Sequence, residues 1–191
     1  MERHGFDFTS AIRCLCADMI GRLVELQHID LERVAINLCQ TRKDVKHGLY
    51  ASLTPLRFED GAVQKKLRGR RYSVDRVCNR AGQEYLYILS FYLPRFMNTP
   101  VEEKLSTIIH ELWHISPDFN GDLRRHLGRC YAHGPSQRDY DAQMDRLAQN
   151  WLALSPPEHL YHFLVGDFQE LVVEYGKVTG AHWPAPKLVP L

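Results

Sequence analysis

The stretch Ser106 to Phe119, STIIHELWHISPDF, places two histidines one helical turn apart, with a glutamate directly after the first. Residues four apart share one face of a helix, so the imidazoles of His110 and His114 can converge on one metal ion. Glu111 is turned about 100° away from His110, which makes it a poor ligand but leaves its carboxylate within reach of a water at that ion. That combination suits hydrolysis. Zinc lowers the pKa of water to about 7, and a carboxylate can then take a proton and deliver it to a leaving amine. A chain with 10 histidines in 191 residues meets the pattern by accident about 0.03 times. From Leu105 to Ile115 Glu111 is the only charged residue, and a carboxylate on so apolar a helix is costly to bury without such a role.

A catalytic zinc takes three protein ligands and keeps one position open for water. Two downstream histidines compete for the third place, His126 in LRRHLGR and His133 in CYAHGPSQ. His133 precedes Gly134 and Pro135, which permit a tight turn ahead of the next helix. His126 stands among Arg124, Arg125 and Arg129, whose charge opposes a dication unless Asp118 and Asp122 offset it. Neither makes the compact HExxHxxGxxH spacing of metzincins. Both together would close a four-ligand site, and the alternative function is then a metal-stabilised binding protein without peptidase activity. The three arginines could bind a substrate carboxylate, stabilise an oxyanion or pair with the two aspartates. Tyr131 and Tyr140 have two readings: donors to a tetrahedral intermediate, or packing residues.

The elements that must position these groups are legible from periodicity. Ile12, Leu15, Met19, Ile20, Leu23 and Val24 recur at helical steps, which predicts an amphipathic helix from Thr9 to Gln27. Val34 to Leu38, LYASL and EYLYILSFYL read as three strands. Thr99 as N-cap, Pro100 at the first helical position and Glu102 reaching back predict the start of the histidine-bearing helix. On it Val101, Leu105, Ile108, Ile109 and Leu112 form the apolar arc, and Ser116-Pro117 ends it. Tyr140, Met144, Leu147, Ala148 and Trp151 mark a further helix, and the tail from about 176 to 191 is proline-rich and expected to run extended over the surface.

The composition, 45% hydrophobic and 25% charged with a net charge of +1, predicts one globular domain over residues 1–191 and gives no global reason to expect nucleic acid or an anionic membrane. The chain shows neither an export signal nor a membrane span, and its five cysteines make no C-x-x-C pair; a cytoplasmic monomer is expected. Cys14 and Cys16 face different ways on their helix, and Cys130 reads as a packed thiol. The run Lys65 to Arg76, KKLRGRRYSVDR, has six basic residues and a single acid; it could follow a phosphate backbone, but a solvated hairpin is the plainer reading.

The order helix, strands, histidine-bearing helix, histidine-containing loop, helix is that of a zincin: an α+β fold with a small, mostly antiparallel sheet packed against the HExxH helix and flanking helices. The arrangement resembles the SprT-like (Spartan-type) metallopeptidases, and HELWHISPDFNGDLRRHLGRCYAHG resembles more closely the phage metallopeptidases, a family found also in bacterial chromosomes. The resemblance is sharp over Ile108 to Gly134 and architectural elsewhere. It implies a Zn2+-dependent peptidase with Glu111 as general base, and His110, His114 and His133 as ligands, since the third ligand in SprT-like enzymes is the histidine of a His-Gly step. The chain departs from the SprT-like pattern in lacking a cysteine after Cys130, and so the zinc module that often follows there; those enzymes act on DNA-attached proteins, a substrate the motif alone does not transfer. An edge strand within Glu84 to Leu93 is expected to pair with an extended protein or peptide substrate.

Overall fold

A computed structural model describes residues 5–41, 48–125 and 137–191. The elements run β1 (Phe6–Asp7), α1 (Phe8–Arg22), β2 (Val34–Gln40), β3 (Ala51–Pro55), β4 (Gln64–Leu67), β5 (Arg70–Val74), β6 (Tyr87–Leu93), α2 (Val101–Trp113), α3 (Gln137–Ala153), α4 (Phe168–Tyr175), β7 (Val178–Thr179) and β8 (Leu188–Pro190). The fold is mixed α+β. No helix among the described residues is long and apolar enough to cross a membrane.

The central sheet has the order β2-β6-β3, with β2 parallel and β3 antiparallel to β6, so it is mixed where a mostly antiparallel sheet was expected. The other three-stranded sheet, β4-β5-β8, is antiparallel throughout. The expectation that the strand within Glu84 to Leu93 lies at an edge is overturned, because β6 is the middle strand. Its residues explain the placement: Tyr87 to Phe91 are all buried, and a strand covered on both faces belongs inside a sheet. The two edges of this sheet differ. Beside β2 the tail runs past, with Leu38 N–H donating to the Ala181 carbonyl (2.9 Å) and Ala181 N–H to Thr9 Oγ1 (2.9 Å). Gly180 allows that approach, since a Cβ there would stand 2.8 Å from Thr9 Cγ2. Beside β3 no strand pairs among the described residues.

Helix α1 starts where Asp7 accepts the Ser10 amide and buries Phe8, Ile12, Leu15, Cys16 and Met19 in the main core. It ends at Arg22, earlier than Gln27, because Leu23 turns extended and a 3-10 turn, Val24–Leu26, follows. Cys14 and Cys16 face different ways as expected, but only Cys16 is a buried thiol and Cys14 is exposed; burial pushes the Cys16 thiol up to about 12. Helix α2 also starts one residue later than the sequence suggests, with Pro100 rather than Thr99 at the N-cap and no side-chain cap. Residues 94–99 form their own tight turn, in which the Thr99 hydroxyl donates to the Phe96 carbonyl (3.0 Å) and is not free to cap. Leu105, Ile108, Ile109 and Leu112 are buried, so the apolar arc of α2 packs into the core as its spacing predicted. Lys104 is buried on the same helix, its ammonium donating to the carbonyls of Leu164 (2.8 Å) and Gly166 (2.7 Å).

Candidate metal centre and groove

His110 lies in the last turn of α2 and His114 is its C-cap, still in helical conformation. The spacing therefore does what the sequence demands: the two Nε2 atoms stand 3.0 Å apart, with the rings at 4.7 Å and 78°. Two nitrogens on one tetrahedral zinc stand about 3.3 Å apart, given bond lengths of about 2.0–2.1 Å, so the pair fits two corners of such a site. Among the described residues no group of three His, Cys, Asp and Glu could hold an ion. His126 and His133, the candidates for the third ligand, lie outside the described residues, as do Arg129, Cys130 and Tyr131.

Glu111 is only 8% exposed. Burial pushes its carboxyl up to about 7, partly offset by the hydrogen bond it accepts from the Leu53 amide. That amide is available because of strand register. Tyr92 N–H donates to the Tyr50 carbonyl and Leu56 N–H to the Leu86 carbonyl (both 2.9 Å), so even-numbered residues of β3 bond to β6. Ala51, Leu53 and Pro55 turn their backbone groups outward, toward Glu111. Pro55 has no N–H to offer, which suits a strand at an edge.

Along this edge runs a groove of about 720 Å³. The start of β3, the outer face of α2 and the facing side of α3 form its walls, and both His110 and Glu111 open onto it. Leu105, Met144, Ala148 and Leu152 supply apolar surface, and Glu103 and Asp145 stand at the sides. Its size and openness to an extended edge make it wide enough for a polypeptide segment.

Behind the imidazoles, Tyr140 of α3 is 4% exposed, its ring edge-on to His110 (5.0 Å, 76°) and stacked on His114 (5.9 Å, 23°). Burial and the nearby Glu111 carboxylate hold its hydroxyl protonated well above the usual range. The arginines separate in role. Arg125 pairs with Asp122 through Nε (3.0 Å) and Nη2 (3.1 Å) and with Glu59 (3.3 Å). Arg124 instead closes the end of α2: its amide donates to the His114 carbonyl (2.7 Å) and its Nε to the Trp113 carbonyl (2.7 Å). Its guanidinium lies 4.2 Å from the Trp113 ring centre.

The basic run forms the hairpin β4–β5 and stands in solvent, as its plainer reading predicted. Lys65 pairs with Glu59 (3.7 Å) and Arg76 with Glu84 (3.3 Å). Sequence reasoning missed β3 as an edge that no described strand pairs and Tyr140 as a residue touching both imidazoles. The alternation in LYASL pointed to a strand but not to its neighbours. The helical spacing of Tyr140 pointed only to burial. The chain matches no protein-family model, no curated protein and no solved structure.

Proposed function

We propose that this chain is a zinc-dependent peptidase of zincin-like fold. The observation that carries the proposal is the convergence of His110 and His114 Nε2 at 3.0 Å beside Glu111, with His110 and Glu111 opening onto the groove. His110 and His114 would hold the ion, and His133 is proposed as the third ligand. Zinc, when bound, supplies Lewis acidity that polarises the scissile carbonyl and brings the pKa of a water to about 7.

The chain's own groups account for the remaining steps. With the Leu53 N–H held by Glu111, the outward backbone groups of Ala51 and the Leu53 carbonyl would offer an extended substrate a partner along the groove. Glu111, held by the Leu53 amide, takes a proton from water at its free carboxylate oxygen. The water oxygen bonds to the carbonyl carbon, the C–N bond breaks, and Glu111 returns the proton to the departing nitrogen, leaving a carboxylic acid and an amine that settle as carboxylate and ammonium.

The test uses metal analysis and proteolysis together. Wild-type protein prepared without chelator is expected to carry about one zinc per chain. His110→Ala is expected to lose it, and Glu111→Gln to keep metal and fold while releasing no peptides from a proteome-derived library. Zinc retained by His110→Ala, or turnover unchanged in Glu111→Gln, refutes the proposal.

A further inference from the structure

We infer that Tyr140 is a positioning residue whose ring holds the imidazoles of His110 and His114 converged; the inference rests on the metal-centre reading above. Backbone hydrogen bonds already fix where these histidines start. His114 N–H donates to the His110 carbonyl (3.3 Å), and the His114 carbonyl receives the Arg124 amide (2.7 Å). The side-chain torsions are set by what surrounds the rings, and a histidine on a helix has more than one staggered rotamer to choose from. Few combinations bring the two Nε2 atoms to 3.0 Å.

Tyr140 touches both rings in complementary ways. It is edge-on to His110 at 5.0 Å and nearly parallel to His114 at 5.9 Å and 23°, so one phenol plane limits rotation of both imidazoles. It comes from α3, which packs directly along α2 with Met144 one turn on and Leu147 two turns on both buried. Among the described residues Tyr140 is not one that lines the groove, and its hydroxyl is buried. The contacts to both imidazoles are made by the aromatic ring.

Cobalt(II) is the probe, because its visible spectrum reports ligand geometry as well as occupancy. Chelator-stripped wild type, Tyr140→Phe and Tyr140→Met are titrated with cobalt below their unfolding temperatures, with Tyr140→Leu as a second non-aromatic variant should Met fail to fold. Tyr140→Phe keeps the ring and is expected to bind within about threefold of wild type with the same spectrum. Loss of the ring is expected to weaken cobalt by about 10–100-fold, the usual effect of removing a contact behind a ligand, and to change the band intensities. A purely structural role would lower unfolding temperature and leave affinity and spectrum alone, which would overturn the inference. Equal losses in Phe and Met variants would also overturn it, by moving the role to the hydroxyl.

A second readout needs no metal. In the stripped proteins, imidazole nitrogen shifts report the Nε2 to Nε2 contact, expected to persist in Tyr140→Phe and to be lost in Tyr140→Met. Wild type that takes up no cobalt sinks the peptidase reading alone, because these shifts still decide whether Tyr140 sets the rings. Unchanged shifts in Tyr140→Met overturn the inference.

Discussion

Replacing Glu111 by glutamine is expected to stabilise the metal-free protein, and the size of the gain follows from burial. The carboxyl is 8% exposed and its pKa stands at about 7 against an ordinary 4.5. A raised folded-state pKa means that the folded chain holds its proton more tightly than the unfolded one. The contribution of this group is then fully present below about pH 4.5 and is lost as pH rises through about 7. At about 1.36 kcal/mol per pK unit the loss reaches about 3 kcal/mol at pH 8. Glutamine keeps an oxygen for the Leu53 amide and carries no charge, and its N–H groups face a groove that admits water, so little of the gain is returned. For a chain of this length each kcal/mol moves Tm by about 2–4 °C, which gives roughly 6–12 °C at pH 8 and almost nothing at pH 4. Thermal and urea denaturation of chelator-treated wild type and Glu111→Gln at both pH values is the assay. A difference independent of pH, or a variant less stable at pH 8, would refute the account of Glu111 as a desolvated carboxylate.

Lys104→Ala is expected to cost about 3 kcal/mol in urea denaturation, since the Leu164 and Gly166 carbonyls lose their donor; a loss under about 1 kcal/mol would show that water replaces the ammonium. Arg68 sits at φ +48° ahead of Gly69 at +85°, the turn of hairpin β4–β5, where asparagine is better suited than arginine. Arg68→Asn should therefore add about 0.5–1 kcal/mol to stability, measured by the same denaturation series. Burial pushes the Asp122 carboxyl up, but Arg125 and the amides of Leu123 and Asp60 outweigh it, so its folded pKa lies below the usual 3.8. Its contribution is present above pH 3.8 and lost as pH falls further, so Asp122→Asn should destabilise by about 1–2 kcal/mol at pH 7 and by much less near pH 3.

Elements whose burial repeats at a fixed period were readable from the chain: α1, the apolar arc of α2, and α3 from Tyr140 to Trp151 lie where their spacing put them. Helix ends were less so. Thr99 has the right chemistry for an N-cap, yet a local turn engages its hydroxyl first. Strand neighbours were not readable at all, because side-chain alternation says which face is buried and nothing about which strand lies alongside. The run from Tyr85 to Leu93 was rich enough in apolar residues to betray a strand covered on both faces, and that richness argued for the middle of the sheet rather than its edge.

The candidate site divides along the same line. His110, Glu111 and His114 are brought side by side by helical geometry, which a five-residue pattern encodes, while the 3.0 Å convergence of the rings also depends on how their side-chain torsions are set. Leu53 and Tyr140 reach the same few atoms from 58 residues before and 29 after Glu111, through a strand register and a helix packing that no short pattern carries. Glu111 itself marks the point where local stability and function part. A buried carboxylate with one amide partner is what a chain selected for stability alone would replace, and the edge of β3 is what it would cover, as the tail covers β2. The two features face the same groove. An edge that no described strand pairs, beside a desolvated carboxylate, is what the proposed peptidase would need to align an extended polypeptide for attack at one of its carbonyls.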